Sequence, residues 1–218
     1  MNYTQYKNAR TASWQALLDC GITELPVSVT EVCQKNNILL SSYEKSRDVI
    51  RAAGLTDNME NNDGFSLYLS GCYFIFYDGS RPNTRCRFTV AHELGHILLG
   101  HFDDPRQKTP YTVLNREPSD ADRPLERAAN VFASRLLAPA CVLWALGVTT
   151  AEEIETLCGI SWPSADFRLQ RLNLLYDRDR AMTREKGRGC FLRSPLEQEV
   201  YKQFSPFIAR MGGSVLSL

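Results

Sequence analysis

Apolar positions near the start of the chain recur at helical spacing, with Trp14, Leu17 and Leu18 on one side. They predict a helix up to about Cys20 that stops at Gly21. Pro26 separates it from a shorter one: Ser28-Val-Thr-Glu31 has the spacing of a reciprocal capping box, and the helix it opens should end at the Asn36-Asn37 break. The segment from Ile38 to Tyr43 reads as a strand, and 44–63 as polar and irregular. From Phe65 the period changes to two. Phe65, Leu67 and Leu69 alternate with Ser66, Tyr68 and Ser70, as in a half-buried strand. Ser70-Gly71 supplies a tight turn, and the continuous run of β-formers at 72–78 returns as the antiparallel partner.

After a turn at 78–83 the period is helical again. Phe88, Ala91, Leu94, Gly95, Leu98 and Leu99 keep one face apolar from near Thr84 to a stop at Gly100. Residues 101–123 form a long polar connection with Pro105, Pro110 and Pro118, a length usually tied to function. A second strong helix starts around Asp122-Arg-Pro124 and runs to Leu137 before Pro139 stops it. Two shorter helices, Ala151–Cys158 and about Pro163–Leu174, are joined by Gly-Ile-Ser in the manner of a helix-turn-helix. The basic stretch 178–193 reads as solvated connection. A last helix, about 195–210, lines up Leu196, Val200, Phe204 and Ile208.

The 218 residues suffice for one full core and a smaller appendage. The 25 basic and 25 acidic side chains cancel, so no global field recruits nucleic acid or an anionic membrane. Seven scattered cysteines, odd in number and never in a C-x-x-C pair, read as reduced thiols of a cytoplasmic protein. The N-terminus lacks a signal-peptide apolar stretch, and no later apolar run approaches the length of a bilayer span, so a soluble chain is expected.

All three histidines lie within ten residues, and two of them frame His92-Glu93-Leu94-Gly95-His96. Shuffling the composition produces H-E-x-x-H with a probability on the order of 0.2%, so the pattern is a strong signal. On a helix, positions i and i+4 share a face, and two imidazoles there can converge on one tetrahedral zinc ion. Glu93 lies about 100° further round. From there its carboxylate can serve as general base without being a ligand.

A catalytic zinc needs a third protein ligand and one open position. His101 is one candidate, but it lies about 180° from His92 on a continuous helix and follows the expected stop at Gly100. Glu126 is the better one, because Ala128, Ala129 and Ala133 let its helix approach the first closely. Asn130, one turn on, can bond the far nitrogen of a ligand histidine and fix its tautomer.

The stretches Arg87-Phe88-Thr89-Val90-Ala91-His92-Glu93-Leu94-Gly95-His96 and Glu126-Arg-Ala-Ala-Asn130-Val-Phe132-Ala133-Ser-Arg-Leu136-Leu137-Ala-Pro139 closely resemble the ImmA/IrrE family of metallopeptidases. The likeness is specific over about 84–139 and looser over 64–83 and 150–174. It implies a gluzincin-like site, with His92, His96 and Glu126 on zinc and Glu93 as base. The fold class expected is α+β: a peptidase domain over 1–148, with a small antiparallel sheet and an active-site helix, then a mostly helical extension over 149–218. The resemblance also implies the substrate, a helix-turn-helix repressor often encoded beside the peptidase on a mobile element.

Two readings from other classes compete with a zinc endopeptidase. One is a DNA-binding regulator or antitoxin-like module using 151–174, and the other a zinc-stabilised interaction protein without turnover. Glu93, which a purely structural site does not need, argues against the latter. Against the former, Glu152, Glu153, Glu155 and Asp166 outnumber Arg168 and Arg171 in the segment. Stabilisation of an oxyanion falls to a tyrosine such as Tyr111, an arginine, or the metal alone. A strand of the 64–78 hairpin left unpaired could add an extended substrate, with the 101–123 connection closing over it.

Overall fold

The computed structural model describes residues 3–102, 111–113 and 123–216. They divide into two compact units, Met1–Ser13 with Val29–Ala133, and Trp14–Ser28 with Ser134–Leu218. In chain order the elements of the first are most of α1 (Tyr3–Asp19), α2 (Val29–Lys35), β1 (Ile38–Ser42), α3 (Tyr43–Ala52), α4 (Thr56–Asn61), β2 (Gly64–Leu69), β3 (Cys72–Tyr77), α5 (Asn83–Leu98), β4 (Tyr111–Val113) and the start of α6 (Arg123–Leu137). The second unit adds α7 (Ala140–Ala145), α8 (Ala151–Cys158), α9 (Trp162–Lys186) and α10 (Pro195–Arg210). The α+β class expected from the sequence is the one observed.

The sheet of the first unit has the order β1-β3-β2-β4. The expected hairpin is its centre: β2 and β3 pair antiparallel, with Ser66 opposite Ile75 and Leu69 opposite Cys72. Ser70 and Gly71 both take positive φ, 52° and 85°, as the two-residue turn between twisted strands requires. The sheet is larger than expected, and mixed. β1 joins β3 in parallel, and β4 joins β2 antiparallel over Leu67–Leu69. Neither hairpin strand is therefore left unpaired along its length. Among the described residues, only Gly64–Ser66 of β2 lack a partner on the β4 side.

One face of this sheet, with Phe65, Leu67 and Phe76, packs on Tyr43 and Ile50 of α3 and on Leu55. The stretch read as polar and irregular thus holds two helices. α3 escapes a periodicity reading because the face it buries, Tyr43, Ser46 and Ile50, has a serine at its middle. That serine is tolerated inside because its hydroxyl bonds Ser41 Oγ at 2.6 Å. The other face of β2 and β3 carries α5. Ahead of that helix, Arg81 Nε bridges Asp63 and Asp78 at 3.1 and 3.0 Å, and Arg85 adds a second cation on Asp63, so the 78–83 turn is tied to the start of β2.

The connection 101–123 lies outside the described residues apart from His101, Phe102, β4 and the backbone of Arg123, so its expected closure over a substrate is not described either. β4 itself was not expected in it.

In the second unit α8 opens with a capping box. The Glu153 amide donates to Thr150 Oγ1, and the Thr150 amide donates back to the Glu153 carboxylate. Gly159 ends the helix in the left-handed region, and Gly-Ile-Ser leads into α9 as expected. α9 then continues well beyond Leu174, through much of the segment read as connection, to Gly187 at φ 68°. Its far half lacks an apolar stripe and is anchored by polar contacts. Tyr176 donates to the Val148 carbonyl at 2.8 Å, and Asp179 accepts from the Cys190 and Phe191 amides. The stretch Pro124–Ala145 is, against expectation, long and apolar enough to cross a membrane by length and composition. It is mostly buried within the protein and broken at Pro139, as a core helix pair is.

Candidate metal centre

His92 and His96 project from the same side of α5, and their Nε2 atoms lie 3.0 Å apart. Glu126, in the first turn of α6, brings Oε2 to 3.2 Å from His92 Nε2 and Oε1 to 3.3 Å from His96 Nε2. A tetrahedral ion with bonds of about 2.0–2.1 Å keeps its donor atoms roughly 3.3 Å from one another. The three side chains already span the edges of such a tetrahedron. Two imidazoles and one carboxylate also suit zinc chemically, so the residues present fit a divalent ion. The helices approach this closely because position 95 has no side chain. A Cβ there would stand 3.1 Å from the Ala129 Cα, the Ala129 carbonyl oxygen and the Phe132 ring.

The far ring nitrogens of both histidines have partners. Asn130 Oδ1 lies 3.0 Å from His92 Nδ1. An amide oxygen only accepts, so His92 carries its proton on Nδ1 and turns the Nε2 lone pair toward Glu126. His96 Nδ1 faces His101 Nδ1 at 2.9 Å. Gly100, at φ 70°, turns the chain back beyond α5 to bring His101 there, and Phe102 settles edge-on against Tyr73. Burial above all, and then the neighbouring His96, push the His101 pKa down to about 4. His101 is therefore neutral, which leaves it able to accept the Nδ1 proton of His96.

Of the two side chains weighed as a third ligand, the structure brings Glu126, and not His101, to the Nε2 atoms of His92 and His96. His101 is more than a polar residue at a helix end, however, and periodicity gave no sign of its place on His96. Burial acts to raise the Glu126 pKa, but the His92 and His96 side chains against it outweigh that and hold the carboxyl below the usual range. It is ionised, and its charge faces two imidazole nitrogens.

Glu93 is buried one residue beyond His92. Its Oε2 accepts a hydrogen bond from Ser66 Oγ at 2.5 Å. Ser66 was not among the site residues expected from the sequence, because alternation marks it only as belonging to the polar face of a strand. In the fold that face is covered by α5, and Ser66 is fully buried. The Tyr111 side chain, suggested for an oxyanion, lies outside the described residues.

The family model of the IrrE N-terminal-like domain, a peptidase family, matches residues 50–170, from the end of α3 into α9. No curated protein matches the chain.

Proposed function

The chain belongs to the family of IrrE N-terminal-like peptidases, whose model covers more than half of it, and from that membership and its converging donors we propose a zinc-dependent endopeptidase that cuts a cytoplasmic protein. The observation that carries the reading is the donor triangle. Among the described residues, His92, His96 and Glu126 bring one ligand atom each within 4.8 Å of one another.

His92, His96 and Glu126 would hold the ion. When bound, zinc supplies Lewis acidity that activates water and polarises a carbonyl. Glu93 takes a proton from the attacking water and returns it to the leaving amine, so the C–N bond breaks with a neutral product leaving. Asn130 and His101 keep the two imidazoles turned with Nε2 inward.

The substrate proposed is a helix-turn-helix repressor, a choice supported by the family resemblance alone. An extended segment of it would bind with its backbone groups paired to the protein and its alternate side chains entering pockets. Seven cysteines standing as thiols support a reducing, cytoplasmic setting.

The test is incubation of the purified, zinc-loaded protein with the repressor encoded beside it, with and without a chelator. One or two cuts, abolished by chelation, are expected. No cut with zinc present, or rapid degradation of casein, would count against a selective endopeptidase.

A further inference from the structure

β2 runs past α5 in step with it. Two residues of a strand advance about 6.7 Å and four of a helix about 6.0 Å. Positions 64 and 66 of the strand therefore meet positions 89 and 93 of the helix. At the first meeting there is no room for a strand side chain. A Cβ on Gly64 would collide with the Thr89 methyl group and stand 2.9 Å from the Phe76 carbonyl oxygen. At the second, Ser66 fills the space, and its hydroxyl oxygen lies 2.5 Å from Glu93 Oε2.

Ser66 is fully buried and Glu93 is 3% exposed, so water competes little for this bond. An O–H donor at this distance from a carboxylate makes one of the stronger protein hydrogen bonds. From this geometry we infer that Ser66 is a positioning residue for the base. It holds one oxygen of Glu93 and fixes the plane of the carboxylate that takes the proton of the attacking water. The inference rests on Glu93 acting as base, as proposed above. The close pass that Gly64 permits is part of the same device, because it lets a side chain as short as serine reach the carboxylate.

The test compares Ser66→Ala, Ser66→Thr and Glu93→Gln, singly and combined. Misplacing a reacting group by a fraction of an ångström is costly, so Ser66→Ala should lower kcat by about 10- to 100-fold. KM should stay within about twofold, because the hydroxyl touches no substrate. Zinc stoichiometry should be unchanged. Ser66→Thr keeps the hydroxyl and should recover most of the rate. Added to Glu93→Gln, Ser66→Ala should cost nothing further, since two residues acting as one unit are not additive.

A second readout needs no turnover. In the metal-free protein Ser66→Ala should lower Tm by about 3–8 °C, and by much less when Glu93→Ala has already removed the carboxylate. Full kcat in Ser66→Ala beside an inactive Glu93→Gln would overturn the positioning role and leave the base assignment standing. An active Glu93→Gln would overturn the base assignment itself. Equal losses of Tm in both backgrounds would make Ser66 a packing residue only.

Discussion

His101 Nδ1 lies 2.9 Å from His96 Nδ1, so the third histidine of the chain faces the ring nitrogen that a metal would leave over. For His96 to offer its Nε2 lone pair, its proton must sit on Nδ1, and His101 must be neutral to accept it. The buried position of His101 keeps it so. A ligand and its orienting partner differ in what their loss does. Glu126→Ala should remove stoichiometric zinc, whereas His101→Ala and Asn130→Ala should keep one zinc per chain at saturation and weaken its affinity about 10- to 100-fold. Competition against a chromophoric chelator measures both. Loss of stoichiometric zinc in His101→Ala, with Glu126→Ala unaffected, would reverse the two assignments.

Glu93→Gln preserves shape and removes the proton-accepting charge. It should retain one zinc and lose about 10²- to 10⁴-fold in turnover, the usual contribution of a positioned base. His92→Ala should lose zinc and activity together. Zinc content and cleavage rate measured on the same preparations separate the two. Near-normal turnover in Glu93→Gln would remove it from the chemistry.

How far the sequence reveals this site depends on whether contacts are local. His92, Glu93 and His96 are one helical turn, and the spacing that aligns them is written in five residues. Glu126 and Asn130 are a turn of a second helix whose run of alanines announces close packing. Ser66 and His101 act through tertiary contacts. The alternation around Phe65 marks Ser66 as facing away from one core, but not that a helix covers the other face. The missed helices have similar causes: α3 buries Ser46 through a bond to Ser41, and α4 has no fully buried residue, only Met59 partly buried against the core. α9 outruns its apolar stripe because Tyr176 and Asp179 anchor it through backbone groups of distant segments.

Gly95 sets the distance between the helices that carry the donors. Gly95→Ala places a methyl 3.1 Å from the Ala129 backbone and the Phe132 ring, so something must shift by a few tenths of an ångström. Gly95→Val demands more. The valine variant should lose about 1–3 kcal/mol of stability through overpacking, offset little by the better helix propensity of its side chain. It should also bind zinc more weakly, because Glu126 rides on the displaced helix. Tm and zinc affinity should fall together from glycine through alanine to valine. Unchanged zinc affinity in Gly95→Val would mean that the α5–α6 approach does not govern the site.

The α8–α9 pair has the outline of a helix-turn-helix, yet its chemistry points away from DNA. Arg168, one of two arginines at the front of α9, is buried, and its Nε and Nη2 donate at 2.8 and 2.6 Å to the Ala138 carbonyl, which the end of α6 leaves over. It is committed to the fold and cannot meet a phosphate. Arg171 lies over the Phe167 ring, 5.4 Å from its centre. Glu152, Glu153, Glu155 and Asp166 add negative charge to the same segment. Since phosphate neutralisation supplies most of the affinity for duplex DNA, the intact protein should show no tight, salt-sensitive binding at physiological ionic strength. Arg168→Met should instead destabilise the protein by about 1–3 kcal/mol, because the Ala138 carbonyl loses two donors inside the structure. A duplex affinity that falls steeply with added salt, and falls further in Arg171→Ala, would restore the regulator reading for this pair.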